Sequence, residues 1–225
     1  MPGIFISIEG TDGSGKGTQT ELLVKRLKDD GKDVEIISFP QYGESSAAVV
    51  EDYLHGKFGT AQEVGPYRGS VFYAIDRYAA SKKIRAWLDE NKIVIANRYV
   101  GSNMAHQGGK ISDPIEQAKY FAWVYDLEYN IFAIPKPDYN FILHVPAAVA
   151  QNLVDQKENR DYLHGKKRDI HEDDLAHLKA AETTYLKIAQ KFPEYTIIEC
   201  APQGKLQSIE EIHQLIWALA NSHLT

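Results

Sequence analysis

One cysteine, Cys200, stands in the whole chain, which excludes an internal disulfide and suits a reducing compartment. Long apolar runs are missing as well: nothing approaches a membrane span, and the N-terminus lacks a basic stretch followed by an apolar one. Positive charge is in deficit, with 25 Lys and Arg against 31 Asp and Glu and a formal net charge of -6. A polyanionic partner wants a basic surface, so broad nucleic-acid or membrane binding is excluded. Any anion site must be a local basic cleft in an acidic protein. Internal repeats and low-complexity linkers are absent. His55, His144, His164, His171, His177 and His213 show no metal-ligand spacing. These absences predict a cytoplasmic protein.

What is present is an ordinary globular mixture over 225 residues, 44% hydrophobic and 25% charged. It can bury a core, and one domain over 1–225 is expected. Ile4-Phe5-Ile6-Ser7-Ile8 reads as a strand buried on both faces. A helix from Lys16 should turn Leu22, Leu23 and Leu27 inward and stop at Gly31. Further strands are expected at 34–38, 92–96, 139–145 and 196–199, and helices at roughly 45–55, 64–90, 113–129 and 172–190. The helix near 172–190 should align Leu175, Leu178, Ala181, Tyr185 and Ile188. Asp113-Pro114-Ile115-Glu116 and Ser208-Ile209-Glu210-Glu211 have the form of capped helix starts. Strands alternating with helices imply right-handed crossovers and a five-stranded parallel sheet with helices on both faces, a three-layer α/β/α fold. The segment 156–169 is dense in charge and poor in core residues, and reads as a loop.

Gly10, Gly15 and Lys16 satisfy the pattern G-x-x-x-x-G-K between a strand and a helix. Such glycines let backbone N–H groups converge on phosphate oxygens, and the helix that follows adds its positive end. Lys16 supplies a charge that follows the transferred group. The whole loop, Gly10, Thr11, Asp12, Gly13, Ser14, Gly15, Lys16, Gly17 and Thr18, is therefore a nucleotide-phosphate cradle of the P-loop NTPase type. The usual Ser or Thr after the lysine is replaced by Gly17. Gly-Lys-Gly-Thr-Gln resembles nucleoside monophosphate kinases such as adenylate kinases, where phosphates and water hold more of the metal.

Further motifs extend the likeness. Glu9 to Lys16, Phe39-Pro40-Gln41-Tyr42-Gly43, Tyr73-Ala74-Ile75-Asp76-Arg77, Asn97-Arg98-Tyr99 and Pro135-Lys136-Pro137-Asp138 follow one another in the order and spacing of thymidylate kinases. The chain resembles that family along nearly its whole length. The resemblance implies Mg²⁺-dependent transfer of a phosphoryl group from ATP to dTMP, in a homodimer. It gives Asp12 the deoxyribose 3′-hydroxyl, with a polar turn residue as the alternative. It gives Arg77 a thymine carbonyl and Tyr73 the stacked base, or else a place in the core. Arg98 and Tyr42 would hold the acceptor monophosphate, with Phe39 beside them. Asn103 and Gln107 would stand at the thymine edge. His106 replaces a Tyr or Phe that excludes a 2′-hydroxyl. Glu9 and Asn97 would support the metal through water, although Asn97 stands where the family has Asp.

The family places a catalytic arginine either in the phosphate loop or in a lid over the donor. No arginine lies between Gly10 and Lys16, so the resemblance moves it to the short lid at 156–169, where Arg160 and Arg168 are the candidates beside Lys167. The bland reading of that segment is a solvated charged loop. His106 and Tyr73 leave open a kinase for another deoxynucleoside monophosphate. Asn97 and Gly17 leave open a nucleotide-binding module with weak turnover.

Overall fold

The computed structural model describes residues 3–155 and 175–224. Its strands are β1 (Ile4–Glu9), β2 (Val34–Ser38), β3 (Ile93–Asn97), β4 (Tyr139–His144) and β5 (Tyr195–Glu199). They form one parallel sheet in the order β2-β3-β1-β4-β5. The strand feeding the glycine loop is therefore central, and its residues from Phe5 to Glu9 are all buried. Alternation divides the core in two. Phe5, Val94, Ala96 and Ile142 face one layer, and Ile6, Ile8, Ile93, Ile95, Phe141 and Leu143 face the other. Each large apolar side chain buried in this way contributes about 2 kcal/mol.

The described helices are α1 (Lys16–Asp29), α2 (Ala48–Leu54), α3 (Ala61–Asp89), α4 (Val100–Gly108), α5 (Pro114–Tyr125), α6 (Ala147–Asp155), α7 (Leu175–Lys191) and α8 (Ile209–Leu224). α1, α6 and α8 cover the face of Ile6 and Ile8, and α3, α4, α5 and α7 cover the face of Phe5. Among the described residues no helix is long and apolar enough to cross a membrane.

Several expectations need correcting. The helix expected from 64 starts at the Gly65-Pro66 kink, with an extra turn in front of it. α3 begins at Ala61 under a Thr60/Glu63 capping box and bends where Gly65 takes a φ of 74° ahead of Pro66. Leu22 is only half-buried, and Val24 takes the inward place beside Leu23 and Leu27. Leu175 is exposed, while Leu178, Ala181, Tyr185 and Ile188 are buried. Asp113 caps α5 by accepting from the Ile115 and Glu116 N–H groups, whereas the Glu116 side chain turns outward to Lys119. α5 gives way at its end to a π-helical turn, Asp126–Ile131. α6 was not foreseen. The Ser208/Glu211 box does open α8.

Candidate active site

The gap between β1 and α1 is the glycine loop, and its backbone explains its composition. Gly10, Gly13 and Gly15 take φ values of 141, 82 and 81°, which side chains resist. Gly13 is needed on a second count, because a Cβ there would lie 2.1 Å from the Ala150 carbonyl oxygen of α6. Gly15 caps α1, so first-turn N–H groups that have no acceptor within the helix and the helix's positive end meet at the loop. Lys16 is buried; its Nζ donates to the Thr11 carbonyl at 2.8 Å and lies 3.9 Å from Asp12. The Thr11 and Ser14 hydroxyls are buried without a hydrogen-bond partner among the described residues. Unpaired buried hydroxyls of this kind suit a loop shaped for an anion. Gly17 and Thr18 lie exposed at its rim.

A cleft of about 320 Å³ opens beside this loop. It brings together Asp12, Lys16, Gly17, Phe39, Tyr42, Tyr73, Arg77, Asn97, Arg98, Asn103, His106 and Gln107, which lie far apart in sequence. Arg98 follows directly on β3 with a φ of 68°. Its backbone N–H donates to the Ile8 carbonyl. Its guanidinium pairs with Asp12 and reaches the Gly10 carbonyl at 3.2 Å, Ser102 Oγ at 3.1 Å and His106 Nε2 at 3.2 Å. Burial works against the charge, but Asp12 and the more distant Glu9 outweigh it and hold Arg98 more firmly protonated than usual. His106 is also in contact with His177 of α7, 3.3 Å from Nδ1.

The far end of the cleft is aromatic and amide in character. Phe39 packs on Tyr99 at 5.6 Å, Tyr73 meets Tyr53 edge-on at 6.2 Å, and Tyr42 is exposed. Arg77 is buried and forked onto Glu128, with Nε donating at 2.5 Å and Nη2 at 2.6 Å. Burial opposes its charge, and Glu128 more than restores it. Asn103 Nδ2 donates to Glu128 at 2.9 Å and to the Ser70 carbonyl at 3.2 Å. Gln107 Oε1 accepts from Lys110 Nζ at 2.7 Å.

The two expected metal supports part company. Glu9 does not line the cleft. It is fully buried, accepts from the Tyr99 N–H at 2.9 Å, Ser102 Oγ at 2.6 Å and Tyr185 Oη at 3.3 Å, and burial raises its pKa. It braces the β3–α4 junction that carries Arg98. Asn97 does line the cleft, and its buried Oδ1 has no hydrogen-bond partner among the described residues. An orphaned amide oxygen is a fitting acceptor for a metal-bound water. Among the described residues no cluster of three His, Cys, Asp or Glu could hold a metal by itself.

Three supporting residues were not assigned from the sequence. Asp76 is buried and ties down the loop carrying Tyr42, accepting from the Gln41 N–H at 2.8 Å and Ser46 Oγ at 2.6 Å. Its place in Tyr73-Ala74-Ile75-Asp76-Arg77 was the one available signal. Glu128 and Lys110 gave none. Arg160, Lys167, Arg168 and the expected lid at 156–169 lie outside the described residues.

The model for "Thymidylate kinase" matches residues 8–216. The chain is 32% identical over 187 residues to the thymidylate kinase of Mycobacterium tuberculosis, covering 83% of this chain and 86% of that protein. It is 31% identical over 226 residues to the probable thymidylate kinase of Pyrococcus horikoshii, covering 100% and 98%. Its fold matches a solved thymidylate kinase from Candida albicans with a TM-score of 0.76 at 19% identity, over 99% of this chain and 92% of that one.

Proposed function

The chain belongs to the thymidylate kinase family, and from that premise we propose that it transfers the γ-phosphoryl group of ATP to dTMP, giving dTDP and ADP. The observation that carries this reading is the position of Arg98. It stands at the carboxyl end of β3, touching the phosphate loop through Asp12 and Gly10 and the cleft wall through Ser102 and His106. A group placed there reaches donor and acceptor phosphates together.

The acceptor monophosphate is already an anion near neutral pH, so no general base is needed. One of its oxygens attacks the γ-phosphorus, the bond to the bridging oxygen breaks, and ADP leaves with the electron pair. Lys16 and the loop N–H groups hold the donor phosphates, and Arg98, with Tyr42 at the same phosphate, aligns the acceptor. Asp12 accepts from the sugar hydroxyl, Phe39 and Tyr73 flank the base, and Arg77, Asn103 and Gln107 meet its edge, with His106 beside the sugar. Mg²⁺ bound with ATP would neutralise phosphate charge beside Asn97. The role of Arg160 or Arg168 at the donor rests on the sequence alone.

The same reading includes a homodimer built through long helices, for which Ile75 and Tyr78 on α3 offer exposed apolar surface. It also includes a cytoplasmic location, in keeping with a single buried cysteine. Transfer is tested with γ-labelled ATP and dTMP. Label should pass into dTDP as ADP forms in equal amount. Label released only as phosphate would reject the reading in favour of an ATPase, and label retained in ATP would reject it in favour of a binding module.

A further inference from the structure

Charge stands behind the base end of the cleft, Glu128 fully buried and Lys110 half-buried, and it constrains two amides. An ionised carboxylate can only accept, so Asn103 must turn Nδ2 toward Glu128, where the bond is 2.9 Å. The Ser70 carbonyl, 3.2 Å from the same nitrogen, enforces that orientation. Burial lowers the pKa of Lys110 to about 8, so at pH 7 it is chiefly an ammonium, which can only donate, and Gln107 turns Oε1 toward it at 2.7 Å. Lys110 is itself anchored by the Tyr53 hydroxyl at 2.8 Å and the Ala61 carbonyl at 3.3 Å. Gly69 makes room for this arrangement, since a Cβ there would lie 2.7 Å from Gln107 Oε1. What remains is Asn103 Oδ1 and Gln107 Nε2, both buried and both without a hydrogen-bond partner among the described residues. Arg77 also lines the cleft, with Nε and Nη2 already engaged by Glu128.

We propose that Glu128 and Lys110 are positioning residues that set the hydrogen-bond polarity of the base end of the cleft. Glu128 makes Asn103 an acceptor there and holds Arg77 as a donor, while Lys110 makes Gln107 a donor. An acceptor beside two donors matches a pyrimidine edge that presents N3–H next to carbonyl oxygens. It opposes a 4-aminopyrimidine, whose N3 accepts and whose exocyclic group donates. A site built for one polarity rejects the other because its buried groups are then left unpaired. Neither Glu128 nor Lys110 lines the cleft; Glu128 acts through Asn103 and Arg77, and Lys110 through Gln107. The inference rests on the proposed acceptor site.

The test is the ratio of kcat/KM for dTMP to that for dCMP, measured in the native protein, Glu128→Gln and Lys110→Met, with the KM for ATP as control. The native protein should prefer dTMP. Either variant should lower the ratio by at least about tenfold, with the KM for ATP unchanged. A purely structural role would slow both acceptors alike and leave the ratio intact, which would overturn the proposal. Glu128→Gln removes one partner of a buried ion pair, so if it does not fold, Lys110→Met decides by the same criterion. A native protein that does not distinguish the two bases would reject the acceptor reading and the proposal with it. A selective native protein with selective variants would reject the positioning alone.

Discussion

At Arg98 a residue with a long side chain accepts a φ of 68°, a conformation costing of order 1 kcal/mol. It is held there by its bond to the Ile8 carbonyl and by Asp12, which fixes the guanidinium above the glycine loop. Arg98→Ala should lower kcat by about 10³-fold in steady-state assays, the scale of an arginine facing a transferred phosphoryl group. A loss below about tenfold contradicts a role for Arg98 in aligning the acceptor phosphate. Asn97 offers a neutral oxygen where a carboxylate would bind Mg²⁺ more strongly. Asn97→Asp should therefore lower the Mg²⁺ concentration for half-maximal rate severalfold, and an unchanged metal titration would show that this oxygen supports nothing. Arg98, Asp12, Asn103 and Gln107 were legible because each sits in a short motif beside a strand or loop end. Glu128 was not. It lies 51 residues from Arg77 and is turned inward by a π-helical turn that apolar spacing does not reveal. Glu9 stands behind the cleft rather than in its wall, since proximity to the loop in sequence says nothing about which way a strand residue points.

Elements meet at the carboxyl edge of the sheet through His144. This residue of β4 touches Glu199 of β5 at 2.6 Å and Glu182 of α7 at 3.1 Å, while Glu182 also accepts from the Ala147 N–H opening α6. Burial disfavours its charged form, but the two carboxylates outweigh that and raise its pKa above 6.5. A raised value means the folded protein binds the proton more tightly. The stabilisation is thus complete below the ordinary pKa and fades as pH rises through the folded one. His144→Gln should lower Tm by about 2–4 °C at pH 5.5 and by much less at pH 9, on about 1 kcal/mol for a partly buried pair. Equal losses at both pH values would contradict the linkage. The five strands were legible from their apolar runs between turn residues. α6 was missed because Ala147–Asp155 abuts the charged segment at 156–169, and its role shows only in space, where Ala150 packs against Gly13. The boundary expected near 64 falls at Gly65-Pro66, where the backbone leaves the helical region, whereas the extra turn from Ala61 in front of it was not legible.

The molecule as a whole is acidic, with a formal net charge of -6, yet Lys16, Arg77 and Arg98 converge on one cleft. That concentration is what the deficit of positive charge required of any anion site, and the parallel topology supplies it. Placing β1 between β3 and β4 sets the glycine loop beside the end of β3, so loop and arginine are neighbours 88 residues apart. Order of elements, sheet direction and the location of the site were readable from alternation and glycine placement. The charges behind the cleft, Glu128 and Lys110, were not, because they depend on packing between helices distant in sequence. Acceptor identity decides between the readings of the cleft, and it is measured with a panel of dTMP, dUMP, dCMP, dGMP and UMP at saturating ATP. dTMP should give the highest kcat/KM, and a higher value for any other acceptor is incompatible with a thymidylate kinase.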